Sequence, residues 1–137
     1  MRDRVFIDSN IWVYFATKNK SEKQLRSYKI IKDNYSEISV STQVLGEIFN
    51  VLKKKTTLKS EEIAEIVIKY SDEFPVLAID KKHLAKAIDI HLKYHYSYYD
   101  SQVIATALLS NCAILYSDDL HHQQVIEDKL TIINPYI

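Results

Sequence analysis

The apolar residues of this chain fall into short unbroken runs that alternate with longer stretches of helical period. Val5-Phe6-Ile7 is the first run, and Asp8-Ser9-Asn10 stops it. Ile38-Ser39-Val40, Pro75 to Ile79, Cys112 to Tyr116 and Leu130 to Ile133 follow. Runs this short, bounded by polar turn residues, predict buried strands. The stretches between them predict helices. Ile11 to Ala16 begins one, and Ser21 opens a second with Leu25, Tyr28, Ile30 and Ile31 at helical spacing. Ser41-Thr42 is an N-cap signal before Val44, Leu45, Ile48, Phe49, Val51 and Leu52. Ser60-Glu61-Glu62 opens the helix of Ile63, Ile66 and Val67. A further helix carries Leu84, Ala87, Ile88 and Leu92, and Tyr99-Asp100-Ser101 starts one that runs to Leu109. Continuous apolar strands alternating with helices predict an α/β protein. The expected architecture is three layers, α/β/α, around a central and mostly parallel sheet. No linker or repeat interrupts the pattern, so residues 1–137 are expected to form a single domain.

Composition narrows the chemistry. Gly46 is the only glycine. That excludes a GxGxxG dinucleotide loop, a Walker A loop and a GxSxG nucleophile elbow. Turns are expected to use Asn, Asp, Ser and Pro instead. Lys plus Arg and Asp plus Glu are both 18, so the formal charge is zero and binding of nucleic acid by bulk positive charge is excluded. The single cysteine, Cys112, excludes an intrachain disulfide and every CxxC zinc site. Only a short apolar run follows Arg2-Asp3-Arg4, and no stretch approaches the ~20 apolar residues of a membrane span. A cytoplasmic protein that does not enter membranes is expected.

Sites in open α/β sheets form outside the carboxyl ends of the strands. Asp8 ends the first strand, and Glu47 lies in the first turns of the helix after the second. Asp100 starts the helix that feeds the Cys112–Tyr116 strand, which Asp118 and Asp119 follow. Taken singly, Asp100 reads as an N-cap, Asp118 or Asp119 as the cap of a short helix toward Ile126, and Asp8 as a turn residue. Glu47 shares its helix face with Val44 and Val51, where an unpaired carboxylate is costly. Clustered carboxylates raise one another's pKa, and a divalent cation resolves their repulsion. An all-oxygen donor set suits Mg²⁺ or Mn²⁺. A metal held this way activates water and polarises a phosphate oxygen, so the expected reaction is phosphodiester hydrolysis.

Val5-Phe6-Ile7-Asp8-Ser9-Asn10 resembles the opening strand and Asp-(Ser/Thr)-Asn motif of PIN domains. Glu47, Tyr99-Asp100 and Leu115-Tyr116-Ser117-Asp118-Asp119-Leu120 are similar to the remaining motifs, and the likeness runs through Ile132-Ile133-Asn134-Pro135. The resemblance implies a metal-dependent ribonuclease, often the VapC-type toxin of a toxin–antitoxin pair and often a homodimer. RNA, a cognate antitoxin and a second copy are then the expected partners. It also implies that Asp8, Glu47 and Asp100 bind Mg²⁺ or Mn²⁺ directly or through water. The Ser/Thr-x-Asp pattern selects Asp119 as the fourth ligand, with Asp118 as the alternative, while Asn10 and Ser117 hydrogen-bond within the site. One departure is that similar sequences often have glycine where this chain has His121-His122-Gln123.

Among the other candidates, His91 and His95 stand at i, i+4, but without a Glu between them they read as surface histidines. Tyr94, Tyr96, Tyr98 and Tyr99 read as packing residues ahead of RNA-stacking ones. Lys53, Lys54 and Lys55 are candidates for RNA phosphates. Two other readings compete with the nuclease. A receiver-like domain would need an acidic pair after the first strand and a lysine after the last, where Ser9-Asn10 and Asn134 stand. A non-catalytic binding module would use the carboxylates only as caps and ion-pair partners.

Overall fold

The computed structural model describes residues 2–137. β1 (Val5–Ile7), β2 (Ile38–Ser41), β3 (Val76–Leu77), β4 (Ile114–Tyr116), β5 (Val125–Ile126) and β6 (Leu130–Ile133) form one sheet in the order β3-β2-β1-β4-β6-β5. Every pairing is parallel except β5 with β6. Val5 is aligned with Ile38 on one side and Ile114 on the other, so the carboxyl ends of β1 and β4 lie together. Helices α1 (Ser9–Thr17), α2 (Glu22–Asp33), α3 (Thr42–Lys55), α4 (Ser60–Glu73), α5 (Lys81–Tyr94) and α6 (Tyr98–Leu109) complete the expected three-layer α/β/α arrangement. The receiver-like alternative fails at this level, because this strand order differs from the 2-1-3-4-5 of flavodoxin-like sheets.

Local chemistry explains the boundaries. β1 is buried along its whole length, and Asp8 turns it directly into α1 by capping that helix. Ser21, Ser41 and Ser97 cap α2, α3 and α6 with side-chain oxygens, and Asp80 caps α5 while bonding to His83. α1 packs on α2 and α3, α3 on α4, and α5 on α6. The Trp12 indole is buried, donates to the Ile7 carbonyl at 3.1 Å and meets the rings of Tyr70 and Phe74.

Several expectations are corrected. α2 turns Gln24, Ser27 and Ile31 inward, whereas Leu25 and Tyr28 are exposed. α5 buries His83, Ala87 and Ile90, and leaves Leu84, Ile88 and Leu92 at 46%, 46% and 69% exposure. The Pro75–Ile79 strand shrinks to the two residues of β3 at the sheet edge. No helix forms between Asp119 and Ile126; the chain makes β5 and reverses into β6 through Glu127 and Asp128.

That reversal reflects the shortage of glycine. Lys18, Lys20, His95, Asn111, Gln123, Glu127 and Asp128 all have positive φ. Asn and Asp tolerate this conformation, but Lys, His, Gln and Glu fill most of the corners here, contrary to the turn residues expected. Gln123, with φ 67°, stands in the segment where similar sequences often have glycine, and its N–H donates to Ile132 at 2.7 Å.

Candidate functional site

Asp8 is the best-anchored carboxylate. Its Oδ1 accepts from the Ser9 N–H at 2.8 Å, and its Oδ2 accepts from the Ser117 hydroxyl at 2.9 Å. The Asp8 N–H donates to the Tyr116 carbonyl at 2.9 Å, tying the end of β1 to the end of β4. Burial pushes its carboxyl up to about 7 from 3.8, with Glu47 and Asp119 adding to the shift and the two hydrogen bonds opposing it. Ser117 is fully buried and also accepts from the Asp119 N–H at 3.2 Å, so one hydroxyl fixes both the first acidic residue and the fourth.

Glu47 projects from α3 two turns beyond the Ser41 cap. The Ser9 hydroxyl stands 3.5 Å from its Oε2, while its Oε1 is buried without a hydrogen-bond partner among the described residues. Desolvation raises its pKa, helped by the charge of Asp100 and Asp119, and Gln43 one turn earlier opposes the shift. Asp100 is not the N-cap of α6. Ser97 takes that role and accepts from the Asp100 N–H at 3.2 Å, which leaves the Asp100 carboxylate in the favourable first turn. Gln102 donates to Gln43 at 2.8 Å, and Gln43 donates to the Tyr99 carbonyl at 3.3 Å. This amide bridge fastens the Glu47 helix to the Asp100 helix.

Asp118 and Asp119 are both drawn toward the cluster. The Asn10 amide donates to Asp118 Oδ1 at 3.3 Å and to Asp119 Oδ2 at 3.1 Å. Desolvation raises the Asp119 pKa, with Asp118 and Asp100 adding to it and Lys55 opposing. The five carboxylates therefore share one electrostatic field at the carboxyl edge of β1 and β4. As they stand, no three His, Cys, Asp or Glu side chains among the described residues converge closely enough to hold a metal ion. The donor set nevertheless fits a hard divalent cation. It is all oxygen, burial opposes the charged form of Asp8 in the absence of a countercharge, and Glu47 Oε1 has no hydrogen-bond partner among the described residues.

Ser9, Tyr14, Gln43 and Gln102 belong to the site although the sequence reading did not select them. The only signal was polarity at positions where α1, α3 and α6 face other elements. Lys55 lies near enough to Asp119 to favour its charged form, and Lys53 and Lys54 are exposed beside it. The histidines stay outside the cluster. His91 bonds to the Tyr96 carbonyl, His95 ends α5, and His122 accepts from the Asn134 N–H at 3.0 Å. Tyr94, Tyr96 and Tyr98 use their hydroxyls internally; Tyr99 is exposed. Cys112 is a buried free thiol.

A mostly parallel sheet whose two central strands end in clustered carboxylates defines a class of α/β domains with an acidic edge. The family model for the PIN domain matches residues 5–127, and the chain belongs to that family. A search of curated proteins finds no match. Among solved structures, a chain of a toxin–antitoxin complex from Klebsiella pneumoniae superposes with TM-score 0.74 at 14% identity, covering 96% of this chain and 98% of that one. A chain of DNA-bound VapBC from Salmonella typhimurium gives 0.71 at 18% identity, covering 96% and 97%. VapC20 from Mycobacterium tuberculosis, described as a sarcin–ricin loop cleaving toxin, gives 0.63 at 16% identity, covering 81% and 86%. The fold is thus that of VapC toxins. No helix among the described residues is long and apolar enough to cross a membrane.

Proposed function

We propose that this protein is a ribonuclease that hydrolyses RNA phosphodiester bonds with Mg²⁺ or Mn²⁺, acting in the cytoplasm as the toxin of a toxin–antitoxin pair. The observation that carries the reading is Glu47: a buried carboxylate oxygen without a partner, facing the field of Asp8, Asp100 and Asp119 in a PIN domain. The toxin assignment draws on structural neighbours that come from toxin–antitoxin complexes, and an antitoxin is the corresponding partner.

Asp8, Glu47, Asp100 and Asp119 would hold the cation, with Asp118 as the alternative fourth ligand. When bound, the metal would supply an activated water and offset charge on the phosphate. The remaining work belongs to the chain itself. The Ser117 hydroxyl and Ser9 N–H orient both oxygens of Asp8. Asn10 keeps Asp118 and Asp119 turned toward the cluster. The Gln43–Gln102 bridge fixes the distance between the helices of Glu47 and Asp100. Lys53, Lys54 and Lys55 receive RNA phosphates on the α3 side. Two copies pair through the exposed Leu84, Ile88 and Leu92 stripe of α5, since an i, i+4, i+8 apolar row on one face can meet its own copy across a two-fold axis.

Cleavage of an end-labelled, mixed-sequence RNA by wild type and Asp8→Asn, with Mg²⁺, with Mn²⁺ and with EDTA, tests the reading. Cleavage by wild type with metal is expected, with at least a hundredfold loss, on the order of 3 kcal/mol of barrier, in Asp8→Asn. A variant that cleaves at the wild-type rate overturns the assignment. If neither protein cleaves, metal calorimetry separates a substrate-selective nuclease from a binding module, which would bind no Mg²⁺ or Mn²⁺.

A further inference from the structure

Beside the Asp118 end of the cluster stands a cation with no ion-pair partner among the described residues. Lys23, in the first turns of α2, holds its ammonium 5.0 Å from the ring centroid of Tyr14 and 5.5 Å from that of Tyr136. The two rings meet edge to face, 5.5 Å apart at 88°. Tyr14 reaches the acidic edge directly, its hydroxyl standing 3.5 Å from Asp118 Oδ2. Tyr136 is fixed from behind by a 2.6 Å hydrogen bond to the Ser27 hydroxyl, and Arg26 donates to the Pro135 carbonyl at 3.1 Å. Between Glu22, Lys23, Arg26 and Tyr136 lies a small cavity of about 130 Å³.

Arg26 is paired with Glu22 at 2.8 Å. Lys23 makes neither an ion pair nor a side-chain hydrogen bond among the described residues. The two aromatic rings hold the ammonium itself, which has no hydrogen-bond acceptor among the described residues. An acidic edge repels a phosphate backbone, so a strand crossing it needs cations on both flanks. Lys55 supplies one near Asp119, and Lys23 stands at the Asp118 side.

We propose that Lys23, positioned by Tyr14 and Tyr136, is a subsite for an RNA backbone phosphate flanking the bond to be cleaved. This rests on the ribonuclease reading. Lys23 acts as a point charge on a rigid aromatic mount, so it grips the strand without reading its bases.

The test combines cleavage kinetics with RNA binding over a salt series, using an unstructured oligoribonucleotide. Lys23→Gln is expected to raise KM about three- to tenfold with kcat unchanged, the loss of one charge-assisted contact. The slope of log affinity against log salt should shrink by about 0.7, the value for one phosphate on a single strand. Lys29→Gln makes the same charge change on an exposed position of the same helix, and should alter neither quantity. Tyr136→Leu should reproduce the Lys23→Gln defect and add little to it in the double variant. A Lys23→Gln enzyme with wild-type KM and salt slope, or one indistinguishable from Lys29→Gln, overturns the subsite and leaves the nuclease standing. Wild-type protein that neither binds nor cleaves RNA overturns both.

Discussion

Helices α3 and α5 have the same length, 14 residues, and similar apolar periodicity, yet they meet opposite fates. α3 follows β2, one strand from the centre of the sheet, and buries Val44, Leu45, Ile48 and Leu52. α5 follows β3, a two-residue strand at the edge. It has little sheet to cover, packs on α6 through His83, Ala87 and Ile90, and turns Leu84, Ile88 and Leu92 outward. Periodicity says that a helix has an apolar face; the position of the preceding strand decides whether the protein covers it. The site shows the same division, since α3 also carries Glu47 to the acidic edge whereas α5 contributes no carboxylate there.

The largest expected contrast is between two leucines. Leu52→Ala in α3 should cost about 2–5 kcal/mol of unfolding free energy, because it empties a fully buried position. Leu92→Ala in α5, measured in the same denaturant titration at low protein concentration, should stay within about 0.5 kcal/mol. Equal losses would erase the distinction between the helices.

Next comes the pH response at the edge that α3 helps to build. In the metal-free protein the Asp8 carboxyl is raised from 3.8 to about 7. Between those values the folded state keeps a proton that the unfolded state has released. Its contribution to stability is therefore greatest below pH 4 and is lost as pH rises to about 7. Asp8→Asn should lift the Tm of the metal-free protein at pH 8 by several degrees more than at pH 4. The Asn oxygen still accepts from Ser9, and the Ser117 hydroxyl can turn to accept from the new amide. A Tm difference that does not change with pH would show that Asp8 carries no buried charge.

A smaller effect concerns association. If two copies pair through α5 as proposed, Ile88→Glu should weaken that pairing at least tenfold in sedimentation velocity, about 1.4 kcal/mol, without lowering monomer stability. Unchanged sedimentation would mean that the α5 stripe is not where two copies meet. Smallest of all, Gly46→Ala on the outer face of α3 should stabilise by about 0.5–1 kcal/mol, since an added methyl meets nothing within 4 Å. Destabilisation in thermal melts would show that the outer face of α3 is more crowded than α5.

The strands that build the centre of the sheet were legible because they are unbroken apolar runs, and Asp8, Asp118 and Asp119 were legible because they sit where those runs stop. Asp8 needed only its place after Val5-Phe6-Ile7. The cap of α6 was misplaced because Ser97 and Asp100 are both good caps, and local sequence does not choose between them. The outward face of α5 was hidden for the reason given above. The β5–β6 reversal escaped notice because such corners are usually signalled by Asn-Gly or Asp-Gly, and Glu127-Asp128 carries no such signal. Lys86 holds that corner by pairing with Glu127, a contact across 41 positions that no local pattern contains. The Gln43–Gln102 bridge and the Tyr14–Asp118 contact are equally non-local.

The left-handed corners bear on how the site could move. Each non-glycine corner costs about 1–2 kcal/mol relative to relaxed backbone. Replacing one by glycine would relieve that strain but loosen the unfolded chain by about 0.4–1 kcal/mol, so the two effects partly cancel. The connections at Lys18 and Lys20, at His95 and at Gln123 flank α1, α6 and the acidic edge, and none has a glycine that could act as a hinge. In the proposed nuclease, drawing the carboxylates around a cation would fall to side-chain rotamers, fast at the exposed Asp119 and restrained at Asp8 by its bonds to Ser9 and Ser117. On that reading the edge would gather its ligand by turning side chains on a stiff frame.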